Sequence, residues 1–268
     1  MNYQDNFLTA DEIEISHEYQ DQGYAIRAIE NIEALDWIRN LFINLIRKNL
    51  TLKENVADSD LFDLIHAELD ITQLNDFRLA LIQQMNETKG FRSRYYQIAK
   101  PYLDAIVGNE LAIQSRVNLS IQLPGDDSSL LATHADTWSG DSPFEVVVWL
   151  PLVDCYKTKS MYLLPPEKNI NLNKNFKGMS GKNSEDLFQS IESDVQWIDI
   201  NYGEVMIFNQ SLPHGNRINQ ENETRWSMNC RFKGLFSPYG DKKIGEFFEP
   251  ITTKAASISG LNYQYPEL

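Results

Sequence analysis

Two histidines and an aspartate have the types and spacing of metal ligands: His134 and Asp136 in THADTW, and His214 in LPHGN. Residues 116–136 open with Val117, Leu119 and Ile121 alternating with Arg116, Asn118, Ser120 and Gln122, the pattern of a half-buried strand. Strand residues two apart share a face, so His134 and Asp136 can hold one ion if the extended conformation runs on through them. His214 follows the apolar run GEVMIFNQSLP and is expected at a strand end or in the turn after it. Two imidazoles and one carboxylate suit a divalent ion such as Fe(II) and leave coordination positions open for reactants. The chain carries its own control: His66 and Glu68 also read His-x-acid, but in DSDLFDLIHAELD, a segment that reads as helical. Residues two apart on a helix diverge, and that pair is not expected to chelate.

A second chemical group lies downstream. In ETRWSMNCR the residues Arg225, Ser227, Asn229 and Arg231 take one strand face, and Trp226, Met228 and Cys230 the other. An inward guanidinium can bind a dicarboxylate through two parallel hydrogen bonds and offset the cost of burying it. Asn118 and Gln122 are candidates to touch the same co-substrate if their face is interior; the alternative is a solvent face. Trp138 either walls a substrate pocket or serves packing. Arg231 is expected to meet substrate or to support the site through a salt bridge.

The combination THAD, VVVWLPL, LPHGN and TRWS resembles the iron(II)/2-oxoglutarate-dependent oxygenases, in particular the phytanoyl-hydroxylase-like branch. SGDSPFEVVVWLPLVDCYKTKSMYLLPPEKN is similar to a bacterial group found in sporadic carbohydrate-biosynthesis clusters. The resemblance covers residues 110–240. It implies an α+β, mainly β fold: a double-stranded β-helix (jelly roll, cupin-like) core with N-terminal buttressing helices. It further implies Fe(II) on His134, Asp136 and His214, 2-oxoglutarate on Arg225, and dioxygen as oxidant; Asn118, Gln122 and Ser227 are the candidates from the strand faces for further contacts to the co-substrate. Retention of Asp136 argues against the halogenase variant, in which a small residue vacates that position. Hydroxylation of a small or sugar-type substrate is the default reading. A non-redox cupin-like isomerase or epimerase and a non-catalytic binding module are the alternatives. Where the WLPL strand is often followed by a small-residue, PGSH-like pattern, this chain has SMYLLPPEKN.

The elements that must position these residues follow from the remaining sequence. Its 268 residues with 42% hydrophobic content suit one large domain: a mostly helical part at 1–108, the β core at 109–240 and an extension at 241–268. Residues 1–70 hold 15 acidic and 5 basic side chains, so −10 of the net −14 sits there, a solvated face. The net charge of −14 argues against nucleic acid and anionic membranes as partners. No apolar run approaches a membrane span, and MNYQDNFLTADEIEIS lacks the regions of a signal peptide, so a cytoplasmic protein is expected. Cys155 and Cys230 read as reduced, buried thiols.

A short strand is expected at GYAIRAI after a turn at Gly23. Leu35, Ile38, Phe42 and Leu45 recur at helical spacing over residues 30–49; Ile71, Leu74, Arg78, Leu81 and Met85 suggest a second helix capped by Asp70. A third runs over 91–107, with Pro101 kinking it or opening it. VQWIDI and EVMIF read as paired strands joined by NYG. Between them and WLPL, residues 155–182 carry Lys157, Lys159, Lys168, Lys174, Lys177 and Lys182 and read as a long surface loop. Those lysines would favour an anionic substrate such as a nucleotide-linked or phosphorylated sugar. The tail from Gly240 is expected to pack back on the domain or on a second subunit.

Overall fold

The apolar stripe of residues 30–49 becomes α2 (Ile32–Asn49), whose Leu35, Ile38, Phe42 and Leu45 are all buried. This computed structural model describes residues 7–52, 56–179 and 181–267, so the first six residues of the signal-peptide reading lie outside the described residues. Before α2 come α1 (Ala10–Gln22) and β1 (Tyr24–Ala28), with Gly23 at φ +84° ending the helix where a side chain would be strained. After it come α3 (Ile71–Glu87), opened by Asp70 accepting from the Thr72 N–H at 2.8 Å, and α4 (Phe91–Ile106). Two details differ from expectation. The buried stripe of α3 is Leu74, Phe77, Leu81 and Met85, with Arg78 turned outward to Asn75. Pro101 lies inside α4 and neither opens nor ends it.

The segment around His66 is not an α-helix. It is a run of turns with a 3-10 turn at Ile65–Ala67, held by His66 Nδ1 to Thr224 Oγ1 at 3.1 Å. Its Leu61, Phe62, Ile65 and Leu69 are buried, so tertiary packing outweighs local helical spacing there.

The strands follow: β2 (Leu111–Gln114), β3 (Asn118–Gln122), β4 (Glu145–Pro151), β5 (Tyr162–Leu163), then α5 (Pro166–Lys174) and α6 (Ser184–Ile191). The chain continues through β6 (Gln196–Trp197), β7 (Glu204–Asn209), β8 (His214–Gly215), β9 (Arg225–Gly234), β10 (Phe248–Pro250) and α7 (Ala255–Leu261). They form a mixed α/β structure with two antiparallel sheets. The larger runs β1-β7-β4-β9-β2-β10, with β3 also on β9; the smaller runs β6-β5-β8. The expected pairing of VQWIDI with EVMIF does not occur. Gly203 (φ +97°) turns the chain from the smaller sheet into the larger, because β1 and β4 take both sides of β7. The tail returns on its own sheet, β10 pairing β2.

Period two in β9 decides what faces what. Trp226, fully buried, meets Phe42, Phe62 and Phe77 edge-on at 5.3–6.3 Å between ring centroids and donates to Phe62 O at 2.9 Å. Helices α2 and α3 thereby lock the outer face of β9, and Arg225, Ser227, Asn229 and Arg231 are left on the other. Tyr95 of α4 donates to Val148 O at 2.8 Å and ties the helical layer to β4. Among the described residues no helix is long and apolar enough to cross a membrane.

Residues 155–182 are not a surface loop. They hold a 3-10 turn at Lys157–Lys159, β5, α5 and a second 3-10 turn at Phe176–Met179. Lys159 is fully buried and bonded to Asp63 and Glu223, each at 2.6 Å. Two carboxylates from separate segments compensate the buried ammonium, and the local charge pattern could not show that.

Candidate metal centre

His134 reaches the site by an isolated antiparallel bridge to His214, whose two backbone hydrogen bonds are 3.0 and 2.8 Å. The pairing places the two rings on one side, with centroids 4.4 Å apart. The extended conformation persists through Ala135 (φ −121°, ψ 134°), and Asp136 then opens a 3-10 turn, Asp136–Ser139. That is enough to put Asp136 Oδ1 3.3 Å from His134 Nε2. One ligand atom from each of His134, Asp136 and His214 lies within 4.8 Å of the others.

The hydrogen bonds around the triad assign its free atoms. His134 Nδ1 lies 2.8 Å from Ala132 O and His214 Nδ1 lies 2.9 Å from Leu212 O. A carbonyl only accepts, so both Nδ1 atoms carry hydrogen and both Nε2 lone pairs face the centre. Neutral His134 would then set an acceptor nitrogen against a carboxylate oxygen, a contact that only a proton or a metal cation makes favourable. Both donor set and geometry fit a divalent metal ion.

Electrostatics agree. Burial resists ionisation of Asp136, but the hydrogen bond from His134 and the charge of Arg231 outweigh it and hold the carboxyl well below the usual range. Burial pushes His214 down to about 4, helped by the charge of His134. For His134 burial acts in the same direction, yet the bonds to Asp136 and Ala132 O prevail and raise it. Asp136 presents Oδ1 alone, because Arg231 Nη2 donates to Oδ2 at 2.8 Å. Arg231 is placed in turn by Gln210 Oε1 at 2.9 Å, while Gln210 O accepts from the Asp136 N–H at 3.0 Å. Arg231 therefore lines the cavity as the partner of a candidate ligand.

Arg225 faces the same cavity of ≈ 240 Å³ as the triad. It is 4% exposed, donates to Ser160 O at 2.9 Å and to Ser120 Oγ at 2.8 Å, and leaves Nε without a partner. No carboxylate pairs with it among the described residues, and burial lowers its pKa to about 10. A buried guanidinium with no carboxylate in direct contact and an orphaned N–H is the complement of an incoming carboxylate.

Asn118 and Ser227 also line this cavity, as do Ser120, Asn216 and Asn229; Asn118 Nδ2 donates to Asn229 Oδ1 at 3.0 Å. Gln122 is on the same face of β3 but does not line the cavity. It is fully buried and occupied by Arg217 O at 2.8 Å and Asn216 Nδ2 at 3.3 Å. Trp138 lies outside the lining too, 41% exposed and packed on Phe176 with centroids 5.0 Å apart. Sequence reasoning missed Ser120, which stands midway between the two residues it chose. It also missed Gln210, for which a glutamine before a turn gives no signal.

No protein-family model matches the sequence, and no curated protein sequence does. Several solved structures are similar. A non-heme monooxygenase, ThoJ, in complex with nickel aligns with a TM-score of 0.52 at 14% identity over 92% of this chain and 94% of that one. The non-heme alpha-ketoglutarate-dependent carbocyclase SnoK of nogalamycin biosynthesis gives 0.54 at 13%, over 92% and 97%. HygX from Streptomyces hygroscopicus, solved with nickel and 2-oxoglutarate bound, gives 0.51 at 12%, over 85% and 88%. At such identities the likeness is one of fold: the chain has the fold these three share.

Proposed function

We propose that the chain is an iron(II)/2-oxoglutarate-dependent oxygenase of the phytanoyl-hydroxylase-like branch, with a double-stranded β-helix core spanning residues 109–240. Its substrate in this reading is small and sugar-type, acted on in bacterial carbohydrate biosynthesis, and hydroxylation is the outcome. The observation that carries the reading is Arg225: a buried cation with no carboxylate at ion-pair distance among the described residues, in one cavity with two imidazoles and a carboxylate. A non-redox isomerase with this fold would leave both Arg225 and the ligand triad without a role.

His134, Asp136 and His214 would hold the iron, and Arg225 would take the distal carboxylate of 2-oxoglutarate. When bound, iron and 2-oxoglutarate supply oxidation of a C–H bond by dioxygen, coupled to decarboxylation of the keto acid to succinate. The chain's own residues prepare this. Ser120 and Ser160 fix the guanidinium plane of Arg225. Arg231, held by Gln210, keeps Asp136 ionised and turned to offer one oxygen. Val147, Trp149 and Phe208 give the cavity an apolar wall that limits water.

Succinate release tests the proposal. With Fe(II), ascorbate and 2-oxoglutarate but no substrate, the wild type should release succinate slowly, and His134→Ala, Asp136→Ala and Arg225→Ala should abolish that release. Equal release from wild type and all three folded variants would remove the proposal.

A further inference from the structure

We propose that Lys174, Lys177 and Lys182 form an anion subsite for a phosphate-bearing part of the substrate. The six lysines of residues 157–182 sort into two sets. Lys157 pairs with Glu221 at 3.9 Å, Lys159 with Asp63 and Glu223, and Lys168 with Asp194 at 2.8 Å. Lys174, Lys177 and Lys182 make no ion pair and no side-chain hydrogen bond among the described residues. These three line one cleft of ≈ 750 Å³. All three are exposed and hydrated, so what they offer, in a chain with 38 acidic and 24 basic side chains, is a local positive potential that raises the concentration of anions at one cleft.

The composition of the cleft narrows the ligand. A single carboxylate would satisfy one ammonium, whereas three point charges match a phosphate monoester or diphosphate, which carries more charge on several oxygens. Asn173 and Asn183 add amide groups, and Phe176 and Leu187 give an apolar wall for the organic part. The acidic residues at the start of α6 do not line the cleft: Glu185 pairs with Arg217, and Asp186 accepts from the Asn183 N–H at 3.0 Å. The N-terminus of α6 is already capped by Asn183 and is not part of the argument.

A side-chain contact leads from the cleft toward the candidate chemistry. Phe176 packs on Trp138, which sits two residues beyond Asp136 in the same 3-10 turn. One ring contact, 5.0 Å between centroids, thus links the lysine cleft to the turn that carries Asp136. Only the role as a substrate subsite rests on the oxygenase reading; anion binding itself does not.

The test is therefore made on metal-free protein, by calorimetry with inorganic pyrophosphate, uridine diphosphate and uridine. Wild type should bind the two phosphate compounds and not uridine. The Lys174→Gln/Lys177→Gln/Lys182→Gln triple variant should bind both at least tenfold more weakly, and Lys168→Gln, outside the cleft, should bind as wild type. Phe176→Ala should weaken uridine diphosphate and spare pyrophosphate if the ligand is a nucleotide, and spare both if the cleft reads phosphate alone. Wild-type affinity in the triple variant, with an unchanged circular dichroism melt, would overturn the proposal, and so would binding of neither phosphate compound by wild type. Iron and 2-oxoglutarate are absent throughout, so failure here is separable from failure of the oxygenase reading.

Discussion

Lowering the pH should weaken metal binding by one proton's worth, although two histidines are expected to hold the ion. In the metal-free protein Asp136 is held well below the usual carboxylate range and stays ionised above pH 5. His214, buried and pushed down to about 4, is neutral at that pH and above. His134 is the exception, raised above its ordinary value of 6.5 by Asp136 and Ala132 O, and it carries the site's one exchangeable proton. A metal ion must displace that proton, so affinity falls as pH drops through the raised His134 pKa and is restored above it. Between pH 6.5 and 5.5 one competing proton costs up to about tenfold, ~1.4 kcal/mol at most, whereas two would cost up to about a hundredfold. Calorimetry with Ni(II) in buffers of different ionisation enthalpy counts the protons directly. About one proton released per metal near pH 6 is expected; two, or none, would refute the assignment. Asp136→Asn should reduce the release below one by removing the group that holds the proton on His134.

Two further substitutions probe what positions the site. Trp226→Ala empties the junction of Phe42, Phe62 and Phe77 and removes the bond to Phe62 O, and should cost about 3–5 kcal/mol in urea denaturation. Gly215→Ala would bring a Cβ to 2.7 Å from Leu131 O and from the Tyr162 hydroxyl, beside His214. It should weaken Ni(II) binding at least tenfold while Tm changes by only a few degrees; unchanged affinity would show that β8 adjusts without moving the histidine.

The parts of the site legible in the sequence are those set by period-two alternation. Arg225, Ser227, Asn229 and Arg231 do share the cavity face of β9, because Trp226 and its neighbours are claimed by the helical layer. The residues two apart at 134 and 136 do meet, although Asp136 has already entered a turn. What alternation cannot give is how far along a strand the cavity extends. Gln122 satisfies the pattern but lies past the cavity, against Arg217 O, and Ser120 is the residue that meets Arg225.

Elsewhere the misreadings have one cause: partners distant in sequence. The 61–69 segment has helical spacing but is drawn into turns by burial against α2 and β9. Lys159 reads as a surface charge until Asp63 and Glu223 arrive from 96 and 64 residues away. VQWIDI and EVMIF look like a hairpin because a turn joins them, yet Cys155 and β1 compete for their edges. Local patterns rank the options in each case, and tertiary contacts choose.

The central claim, one cavity that binds a metal ion and a dicarboxylate together, is tested most directly by anaerobic titration with Fe(II) and 2-oxoglutarate, following the weak visible charge-transfer band of the chelate. The band should appear in wild type, be lost in Asp136→Ala, and in Arg225→Ala require far more 2-oxoglutarate. No band in folded wild type with excess iron, or a band indifferent to Arg225, would contradict it.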